Sequence, residues 1–363
     1  MRITSVTAHP VGLPFTHGGP PTGFGGKIWT TLDHLVVRVA TDEGVVGYGE
    51  GFGFDVVPAT AVLVERSVAP LLVGRDPSDL GSLMEGLRRT LHIYGRQGLL
   101  TFALSGVDIA LWDIAGKVAG EPVWRLLGGA GRGAVPAYAS LLKYRDPAVV
   151  AAVAGQAVAE GYRRVKLHET GVAEVAAARH AVGRDVKLML DVNCAWSVEE
   201  ALAVGRQLAG LNLHWLEEPV WPPEDFGRLA AVRAEIGIPI AAGENLTTPA
   251  DLERLTAAGA VDYVQPSVTK VGGLSEFRRV AAVAAARGVP LAPHSPYFGP
   301  GLLATLHASA ADPSVDAVEV FYMKLEADLY GGRLTPVDGR LEVPQGPGLG
   351  PDPDPEVLDR FRL

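Results

Sequence analysis

Eight short apolar runs recur along residues 135–321 at nearly constant spacing, and this repeat constrains the fold more than any other feature of the sequence. The runs begin at residues 135, 163, 187, 213, 238, 263, 289 and 317, so successive starts lie 24 to 28 residues apart. Such an interval accommodates one buried strand and one helix, and Ser197 and Glu200 form a capping-box pattern typical of a helix start. Eight strands alternating with helices favour an α/β barrel over an open sheet.

The rest of the chain predicts a second, smaller unit. Residues 1–130 begin with alternating segments that turn at Asp42-Glu43-Gly44, which indicates an antiparallel meander, and two helical stretches follow. The tail after residue 325 is rich in Pro and Gly. We therefore expect an N-terminal α+β capping domain at 1–130, a catalytic barrel at 131–325, and a C-terminal segment at 326–363 that completes the cap over the barrel mouth.

Three acidic residues close three consecutive runs of the repeat. Asp191, Glu217 and Glu244 end the runs KLMLD, LHWLE and IPIAAGE, and the intervals between them are 26 and 27 residues. Because equivalent ends of parallel strands meet at one end of a barrel, the three carboxylates are expected to converge at its active-site face. A single acid after a strand is most often a helix cap, but three in phase are hard to explain by capping. Three oxygen ligands suit a hard divalent cation, with Mg²⁺ first.

Composition argues against several classes of partner. The net charge of −9 argues against nucleic acid and anionic membrane surfaces, although a bound cation would still admit an anionic small molecule. The single cysteine, Cys194, excludes an intrachain disulfide and fits a reducing cytoplasm. Neither a secretory signal nor a long uninterrupted apolar stretch is visible, so a cytoplasmic protein without membrane contact is expected.

These motifs together resemble the enolase superfamily, and within it the mandelate racemase-like branch of the mandelate racemase and muconate lactonizing enzyme family. The resemblance rests on TFALSGVDIALWDIAGK in the cap, the strand ends DVN, LEEP and GEN, KVGG at 270–273, and PGLG in the tail. It implies a modified (β/α)₇β barrel with an α+β cap, and removal of the proton α to the carboxylate of a small-molecule substrate. It also implies one Mg²⁺ per subunit, replaceable by Mn²⁺, with Asp191, Glu217 and Glu244 as its ligands. A homo-oligomer, either a dimer or an octamer, is expected on the same ground.

The end of the second barrel strand carries the expected base. Period-two alternation places Lys166 and His168 on one side of that strand, facing the barrel axis. The family usually has Lys-x-Lys here with the second lysine as base, whereas this sequence has His168, and an imidazole titrates near neutrality unaided. We therefore favour His168 as a base assisted by Lys166 over a strand-end histidine that is merely hydrogen-bonded.

His294 ends the seventh strand and matches a histidine that one branch of the family uses as acid or base on the opposite face of the substrate. In that branch an aspartate at the end of the sixth strand raises the basicity of the histidine, whereas the matching residue here is Ser267. A hydroxyl cannot stabilise an imidazolium by charge. His294 is therefore expected to serve as a proton donor or hydrogen-bonding group rather than as a strong base.

The resemblance also suggests which residues contact the substrate. The expected contacts are Asn193, Ser267, Lys270, Glu319 and Trp29, and for Lys270 a purely structural ion pair is an equal alternative. The loops after residues 16 and 49 are expected to close over the substrate, and they carry His17, Phe24, Lys27, Trp29, Phe52 and Phe54. Since these loops lack an arginine, they argue for a substrate with one carboxylate or a partly apolar body.

The preferred hypothesis is a Mg²⁺-dependent lyase that dehydrates a hydroxy or sugar acid to a 2-keto-3-deoxy acid through an enediolate. In it, His168 removes the α-proton and His294 protonates the departing β-hydroxyl. The enzymatic alternatives are a racemase or epimerase, with His168 and His294 on opposite faces, and a cycloisomerase that opens an acid-sugar lactone. A non-catalytic, metal-stabilised protein is a third hypothesis, favoured by the Lys-to-His and Asp-to-Ser departures and opposed by the intact acid triad.

Overall fold

The computed structural model describes residues 1–23 and 26–363, and the expected loop residue Phe24 lies outside them. The strands are β1 (Ile3–Thr16), β2 (Thr31–Thr41), β3 (Val46–Gly51), β4 (Ala134–Ser140), β5 (Arg164–Leu167), β6 (Lys187–Asp191), β7 (Leu213–Glu217), β8 (Ile240–Ala242), β9 (Tyr263–Val264), β10 (Val318–Phe321), β11 (Lys324–Leu325) and β12 (Arg340–Glu342). The α-helices are α1 (Val57–Leu63), α2 (Ala69–Leu72), α3 (Leu80–Thr90), α4 (Leu99–Ala119), α5 (Val123–Leu126), α6 (Pro147–Ala159), α7 (Val172–Val182), α8 (Val198–Leu208), α9 (Phe226–Ile236), α10 (Pro249–Ala257), α11 (Gly273–Ala286), α12 (Pro300–Ala311) and α13 (Pro355–Arg360). The predicted capping box of Ser197 and Glu200 is confirmed at the start of α8.

The cap is built on an antiparallel sheet in the order β11-β1-β2-β3. Strand β3 approaches helix α4 very closely, which its glycines permit. A Cβ at Gly47 would lie 2.2 Å from the carbonyl oxygen of Ala110, and one at Gly49 would lie 1.9 Å from that of Gly106. Both distances are far below van der Waals contact, so any larger residue would push the helix off the sheet.

Helix α4 is the buried centre of the cap. By length and hydropathy it is the one helix in the described part of the chain that could span a membrane, a feature that the sequence reading did not single out. Of its apolar window, however, 78% is buried inside the protein. Its side chains pack with those of β2, α1 and α3 in a core that includes Leu104, Val107 and Leu111. Burial on nearly all sides explains why the helix is apolar all round.

A parallel sheet in the order β10-β4-β5-β6-β7-β8-β9 forms the barrel wall. Beyond β9 the predicted strand at 289–294 contributes a single bridge, between Leu291 and Val264. Pro290 and Pro293 lack the N–H that a continuous ladder needs, which explains why this strand is shorter than predicted. Two hydrogen bonds then link this segment to β10: the backbone N–H of Ser295 donates to the carboxylate of Glu319, and the Ser295 hydroxyl donates to the backbone carbonyl of Glu319. The predicted modified (β/α)₇β barrel with its α+β cap is confirmed.

A layer of large side chains fills the barrel interior directly below the strand ends. Met189 precedes Asp191 by two residues on β6, and Trp215 precedes Glu217 by two residues on β7. Because strand side chains alternate, each large residue lies on the same face as the acid above it. These residues pack with Tyr138 and with alanines of three other strand segments, so the acids stand on a rigid, dry floor.

The tail returns to the cap. The backbone N–H of Leu349 donates to Asp113 of α4 at 2.8 Å, and that of Leu363 donates to the carbonyl of Pro10 in β1 at 3.1 Å. Strand β11 adds to the edge of the cap sheet beside β1. Both ends of the chain therefore build the cap, and the barrel lies between them in sequence.

Candidate active site

Three carboxylates meet at the carboxyl ends of three adjacent barrel strands. Asp191 ends β6, Glu217 ends β7, and Glu244 follows the last residue of β8 by two positions. Asp191 and Glu217 are register partners, and one oxygen from each of the three acids lies within 4.8 Å of the others. Such a cluster of oxygens is one that a hard divalent cation can occupy.

Lys166 lies buried among the acids. Its Nζ is 2.8 Å from Glu319, 2.9 Å from Glu217 and 3.3 Å from Asp191, and its side chain is only 1% exposed. Burial alone would lower its pKa, but the neighbouring carboxylates outweigh burial and raise the pKa of Lys166 well above its ordinary value. Lys166 is therefore a fixed ammonium that holds the acids together and is not a proton acceptor.

His168 lies above Lys166 on the same side of the strand and faces the cavity. Its Nδ1 lies 2.5 Å from the carbonyl oxygen of Leu141. Because a carbonyl can only accept, Nδ1 carries the hydrogen, and Nε2 of the neutral ring carries the lone pair. That Nε2 is 3.3 Å from an oxygen of Asp191, at the edge of the acid cluster. The ring is thus held in the tautomer that a general base requires.

His294 approaches the acid cluster from the seventh strand segment. Its Nε2 is 3.0 Å from Glu244, and its Nδ1 is buried without a hydrogen-bond partner among the described residues. Ser267 does not reach it, since the Ser267 hydroxyl lies 3.3 Å from both Thr269 and Tyr297. In the described chain, therefore, no carboxylate takes the place of the aspartate that the family branch has at the position of Ser267. Ser267 does not line the cavity at the strand ends, and neither do the buried Lys166 and Glu217.

The charges of the site fit a divalent cation. The carboxylates around it are the buried Asp191, Glu217, Glu218 and Glu319 and the partly exposed Glu244, whereas the lysines that reach them in the described part of the chain are Lys166 and Lys270. Burial and the charge of Glu244 raise the pKa of Glu218 to about 8, and burial and the charge of Asp191 raise that of Glu217 well above its usual range. Burial would raise the pKa of Asp191 as well, but the charge of Lys166 outweighs burial and lowers that pKa to about 2, so the nearby cations neutralise some of the acids and not others. An all-oxygen donor set of this kind suits Mg²⁺.

The other predicted contacts lie around the same opening. Asn193 adopts a left-handed backbone with φ of 48°, and its N–H donates to Asp191 at 2.8 Å. Lys270 donates to Asn245 at 2.9 Å, lies 3.5 Å from Glu244 and is 4.8 Å from the centre of the Phe52 ring. Trp29 and Glu319 also line the cavity. Lys270 therefore has the structural ion pair that was considered for it, yet it also faces the substrate space.

Several residues of the site were missed by the sequence reading. Trp215 donates its indole N–H to Glu217 at 2.9 Å, and Ser140 donates its hydroxyl to Glu319 at 2.7 Å, so both orient acids. The alternation of β7 could have shown that Trp215 faces inward below Glu217, but not that it donates to that acid. Lys143 and Arg145, which follow β4, also line the cavity. No sequence motif marked them.

The cavity has a volume of about 670 Å³ and is bounded by barrel strand ends on one side and cap loops on the other. The cap contributes Trp29, Phe52 and Phe54; the ring of Phe54 lies 5.0 Å from that of Trp29 in a tilted arrangement and 4.8 Å from that of Phe52 in an edge-to-face arrangement. A space of this size accommodates a small organic acid of several carbons. A second cavity of about 720 Å³ lies between the cap and the outer barrel helices; several arginines line it, and none of the three triad acids does.

Comparisons with known proteins agree with this geometry. Residues 149–357 match the family described as enolase C-terminal domain-like, and residues 27–128 match the N-terminal domain of mandelate racemase / muconate lactonizing enzyme. The chain is 35% identical over 349 residues to a D-galactarolactone cycloisomerase of Agrobacterium fabrum, covering 91% of each protein. It is 33% identical over 331 residues to an arabinonate dehydratase of Saccharolobus solfataricus, covering 88% of each. The crystal structure of a racemase from Streptomyces coelicolor A3(2) with bound magnesium superposes with a TM-score of 0.87 at 31% identity, covering 99% of this chain and 100% of that one.

Proposed function

The chain belongs to the mandelate racemase / muconate lactonizing enzyme family of the enolase superfamily, and from this premise we propose that it dehydrates an acid sugar with the help of Mg²⁺. Its named relatives are dehydratases and cycloisomerases, so the enzyme is a lyase or an isomerase. The observation that carries the proposal is the acid triad, of which Asp191 and Glu244 line the same cavity as His168 and His294. The product would be a 2-keto-3-deoxy acid.

Removal of the α-proton is difficult because it places a second negative charge on a carboxylate that is already charged. Asp191, Glu217 and Glu244 would hold the Mg²⁺, which supplies positive charge next to the substrate carboxylate when it is bound. The ammonium of Lys166, 2.9 Å from Glu217, keeps the acid cluster assembled before the ion arrives. In this proposal the protein's own task is to orient the substrate and to move protons.

His168 is the proposed base. Its Nε2 takes the proton from the α-carbon, and the hydrogen bond from Nδ1 to the carbonyl of Leu141 stabilises the imidazolium that results. The electron pair of the broken C–H bond forms the enediolate of the substrate. No tautomer change is needed, because the lone pair of the neutral ring already faces the cavity.

His294 is the proposed acid. As the β C–O bond breaks, His294 in its imidazolium form gives the proton of Nε2 to the departing hydroxyl, which leaves as water while a neutral imidazole remains. The resulting enol tautomerises to the 2-keto acid. The Nε2 of His294 lies 3.0 Å from Glu244, so a hydrogen on this nitrogen has a carboxylate acceptor. At the end of the turnover His168 has gained a proton and His294 has lost one, and exchange with water restores both.

Cycloisomerisation of an acid-sugar lactone is the second candidate, favoured by the 35% identity to a galactarolactone cycloisomerase. It begins with the same proton removal by His168, and the ring oxygen then leaves in place of a hydroxyl. Racemisation is less well supported, because it needs two bases of similar strength. His294 has no carboxylate partner at Nδ1 among the described residues to make it one.

The expected domain boundaries, oligomeric state and cellular location remain predictions. The boundaries at 130 and 325, a dimer or octamer, and a cytoplasmic location are all consistent with a family of small-molecule enzymes.

Cys194, a half-buried thiol 3.4 Å from Glu218, has no role in the proposed chemistry. Burial and the charge of Glu218 raise the pKa of that thiol, so it is a poor nucleophile.

The test is incubation with Mg²⁺ and a library of acid sugars and their lactones, followed by assay of 2-keto acids and by proton NMR in D₂O. We expect keto-acid formation that falls by at least about 100-fold in His168→Ala, since general-base catalysis is worth about that much. His180→Ala, an exposed histidine at the end of α7, is the matched control and should keep full activity. Keto acid formed at an equal rate by His168→Ala would contradict the assigned base, and deuterium exchange without keto acid would replace dehydration by racemisation or epimerisation.

A further inference from the structure

Two cationic residues that sequence motifs did not mark lie on the wall of the catalytic cavity. Lys143 and Arg145 follow strand β4, in the loop between the first barrel strand and helix α6. They share the cavity with His168, Asp191 and Glu244. The expectation of a substrate with a single carboxylate considered only the two cap loops, which contain no arginine. The barrel itself supplies the positive charge on this side.

The loop that carries these two residues is held rigidly. The carboxylate of Glu169, just after β5, is buried and accepts the backbone N–H of Tyr144 at 2.6 Å and that of Arg145 at 3.1 Å. The hydroxyl of Thr22 donates to the carbonyl of Lys143 at 2.5 Å. Arg145 adopts a left-handed backbone with φ of 59°, a conformation that these contacts help to maintain. Because the backbone of this loop is already fixed, binding a ligand through its side chains requires no further ordering of the loop.

Lys143 lacks a counter-ion within the described residues. Its side chain is half-buried, yet no carboxylate of the described chain lies within ion-pair distance of its Nζ. Burial and the charge of Arg145 lower the pKa of Lys143, and the charges of Glu169, Asp191 and Glu174 offset this effect only in part. A desolvated ammonium that faces an open cavity is stabilised when an anionic group of a ligand enters and forms a charge-assisted hydrogen bond.

We propose that Lys143, with Arg145 beside it, binds a second carboxylate of the substrate, so that the preferred acid sugar carries a carboxylate at each end. This inference rests on the proposed function, because the acid triad and its cation position the first carboxylate. A cavity of about 670 Å³ has room for a six-carbon diacid or its monolactone. The residue is a specificity determinant and takes no part in proton transfer.

The test measures binding as well as turnover. Galactarate, a diacid, and galactonate, its monoacid counterpart, are titrated into the full-length enzyme with Mg²⁺ by calorimetry, and a phosphorylated monoacid, 6-phosphogluconate, is the third ligand. We expect the wild-type enzyme to bind the diacid about 10- to 100-fold more tightly than the monoacid, the range that one or two charge-assisted hydrogen bonds supply. In Lys143→Met the ratio of the two affinities should fall to about one, and Lys143→Arg, which keeps the charge, should retain most of the preference.

Lys187→Met is the matched control. It removes the same charge at the start of β6, the end of that strand opposite Asp191, where Lys187 pairs with Asp316 at 2.7 Å. Its affinity ratio should equal that of the wild-type enzyme. Equal binding of the two acids by the wild-type enzyme, binding of neither, or a preference that persists in Lys143→Met would overturn the inference. Tighter binding of the phosphorylated monoacid than of the diacid would overturn the assignment to a carboxylate.

The inference and the proposed function can fail separately. Turnover of monoacids with no preference for diacids would leave the dehydratase proposal standing and remove the role of Lys143. A diacid preference that depends on Lys143, without any keto acid or α-proton exchange, would support the recognition site and contradict the chemistry.

Discussion

Lys166 occupies the point where the carboxylates of Asp191, Glu217 and Glu319 converge, with all four side chains almost fully buried. Its neighbours would be uncompensated buried charges without it. In the metal-free protein the ammonium of Lys166 therefore supplies part of the positive charge that a bound cation would supply to these carboxylates. The stability of the site should depend on both.

Replacement of Lys166 tests this shared role. In Lys166→Met the free energy of unfolding should fall by about 3–5 kcal/mol in the presence of a chelator, because removal of one partner of a buried charge cluster leaves the others unpaired. Addition of Mg²⁺ should recover part of that loss, since it restores positive charge among the acids. Urea denaturation with and without Mg²⁺ measures the loss and its recovery. Lys187→Met, which removes the exposed ion pair of Lys187 with Asp316, is the control. A deficit that Mg²⁺ leaves unchanged would argue against a cation at the triad.

Asp108 provides a pH-dependent prediction away from the active site. This acid is fully buried in α4, and burial raises its pKa from an ordinary 3.8 to about 7, although Ser275 donates a backbone hydrogen bond to it at 3.0 Å. Because the folded protein holds this proton more tightly than the unfolded chain, the stability that protonated Asp108 contributes is full below about pH 4. It is lost as the pH rises through 7.

Asp108→Asn should therefore match the wild-type protein near pH 4 and exceed its free energy of unfolding at pH 8 by as much as about 4 kcal/mol. The asparagine keeps the shape and the hydrogen bond from Ser275 but carries no charge to bury. Urea denaturation at a series of pH values measures the difference. A difference that does not grow with pH would show that the carboxyl is not the group that titrates.

Some residues of the site could be predicted from the sequence and others could not. The acid triad and the pair Lys166 and His168 could be read from the sequence, because strand periodicity alone fixes which ends and faces they share. Lys143 could not, because its position depends on the carboxylate of Glu169, on another strand, which fixes the loop. Contacts between loops of different strands leave no periodic signal in one sequence.

At the scale of elements, the link between the cap sheet and helix α12 is a buried hydrogen-bonded pair. Glu50 of β3 accepts a hydrogen bond from His34 of β2 at 2.7 Å and another from the backbone of Gly301 in α12 at 2.8 Å. Both side chains are buried. This acid therefore ties a cap strand to a barrel helix.

Glu50→Ala should lower the free energy of unfolding by about 2–5 kcal/mol, because it leaves two buried donors without an acceptor. The matched control is Glu235→Ala, whose glutamate is 62% exposed and 4.0 Å from Arg206, and which should change stability little. Urea denaturation of the two variants measures the difference. Equal effects would show that the Glu50 contacts are not what joins the sheet to the helix.

Most barrel strands and helices could be predicted from the sequence, but the extent of the seventh strand could not. The long apolar runs of β4, β6 and β7 and the capped helix α8 were evident, because their patterns are local. The seventh strand, with prolines at 290 and 293, is reduced to one bridge. Its apolar pattern was correct, but the missing N–H groups limited its pairing.

At the scale of the whole molecule, the cap and the barrel contribute different side chains to the cavity. Strand ends supply acids, bases and the Lys143 loop, whereas the cap supplies the aromatic wall of Trp29, Phe52 and Phe54. In the proposed function the barrel therefore carries the chemistry and part of the charge recognition, and the cap completes the cavity. The tail, held by Asp113 and Pro10, fastens the cap from the other end of the chain.

The central claim is that a divalent cation at Asp191, Glu217 and Glu244 enables removal of the substrate α-proton. The most direct measurement follows the α-proton NMR signal of a substrate in D₂O, because dehydration, cycloisomerisation and exchange all remove it. We expect the α-proton signal to stay constant with metal-free enzyme and to decrease once Mg²⁺ is added, with the rate of decrease saturating at one ion per chain. With Glu244→Gln the signal should stay constant even when Mg²⁺ is present. Equal loss without a divalent ion, or at the wild-type rate in Glu244→Gln, would contradict the account.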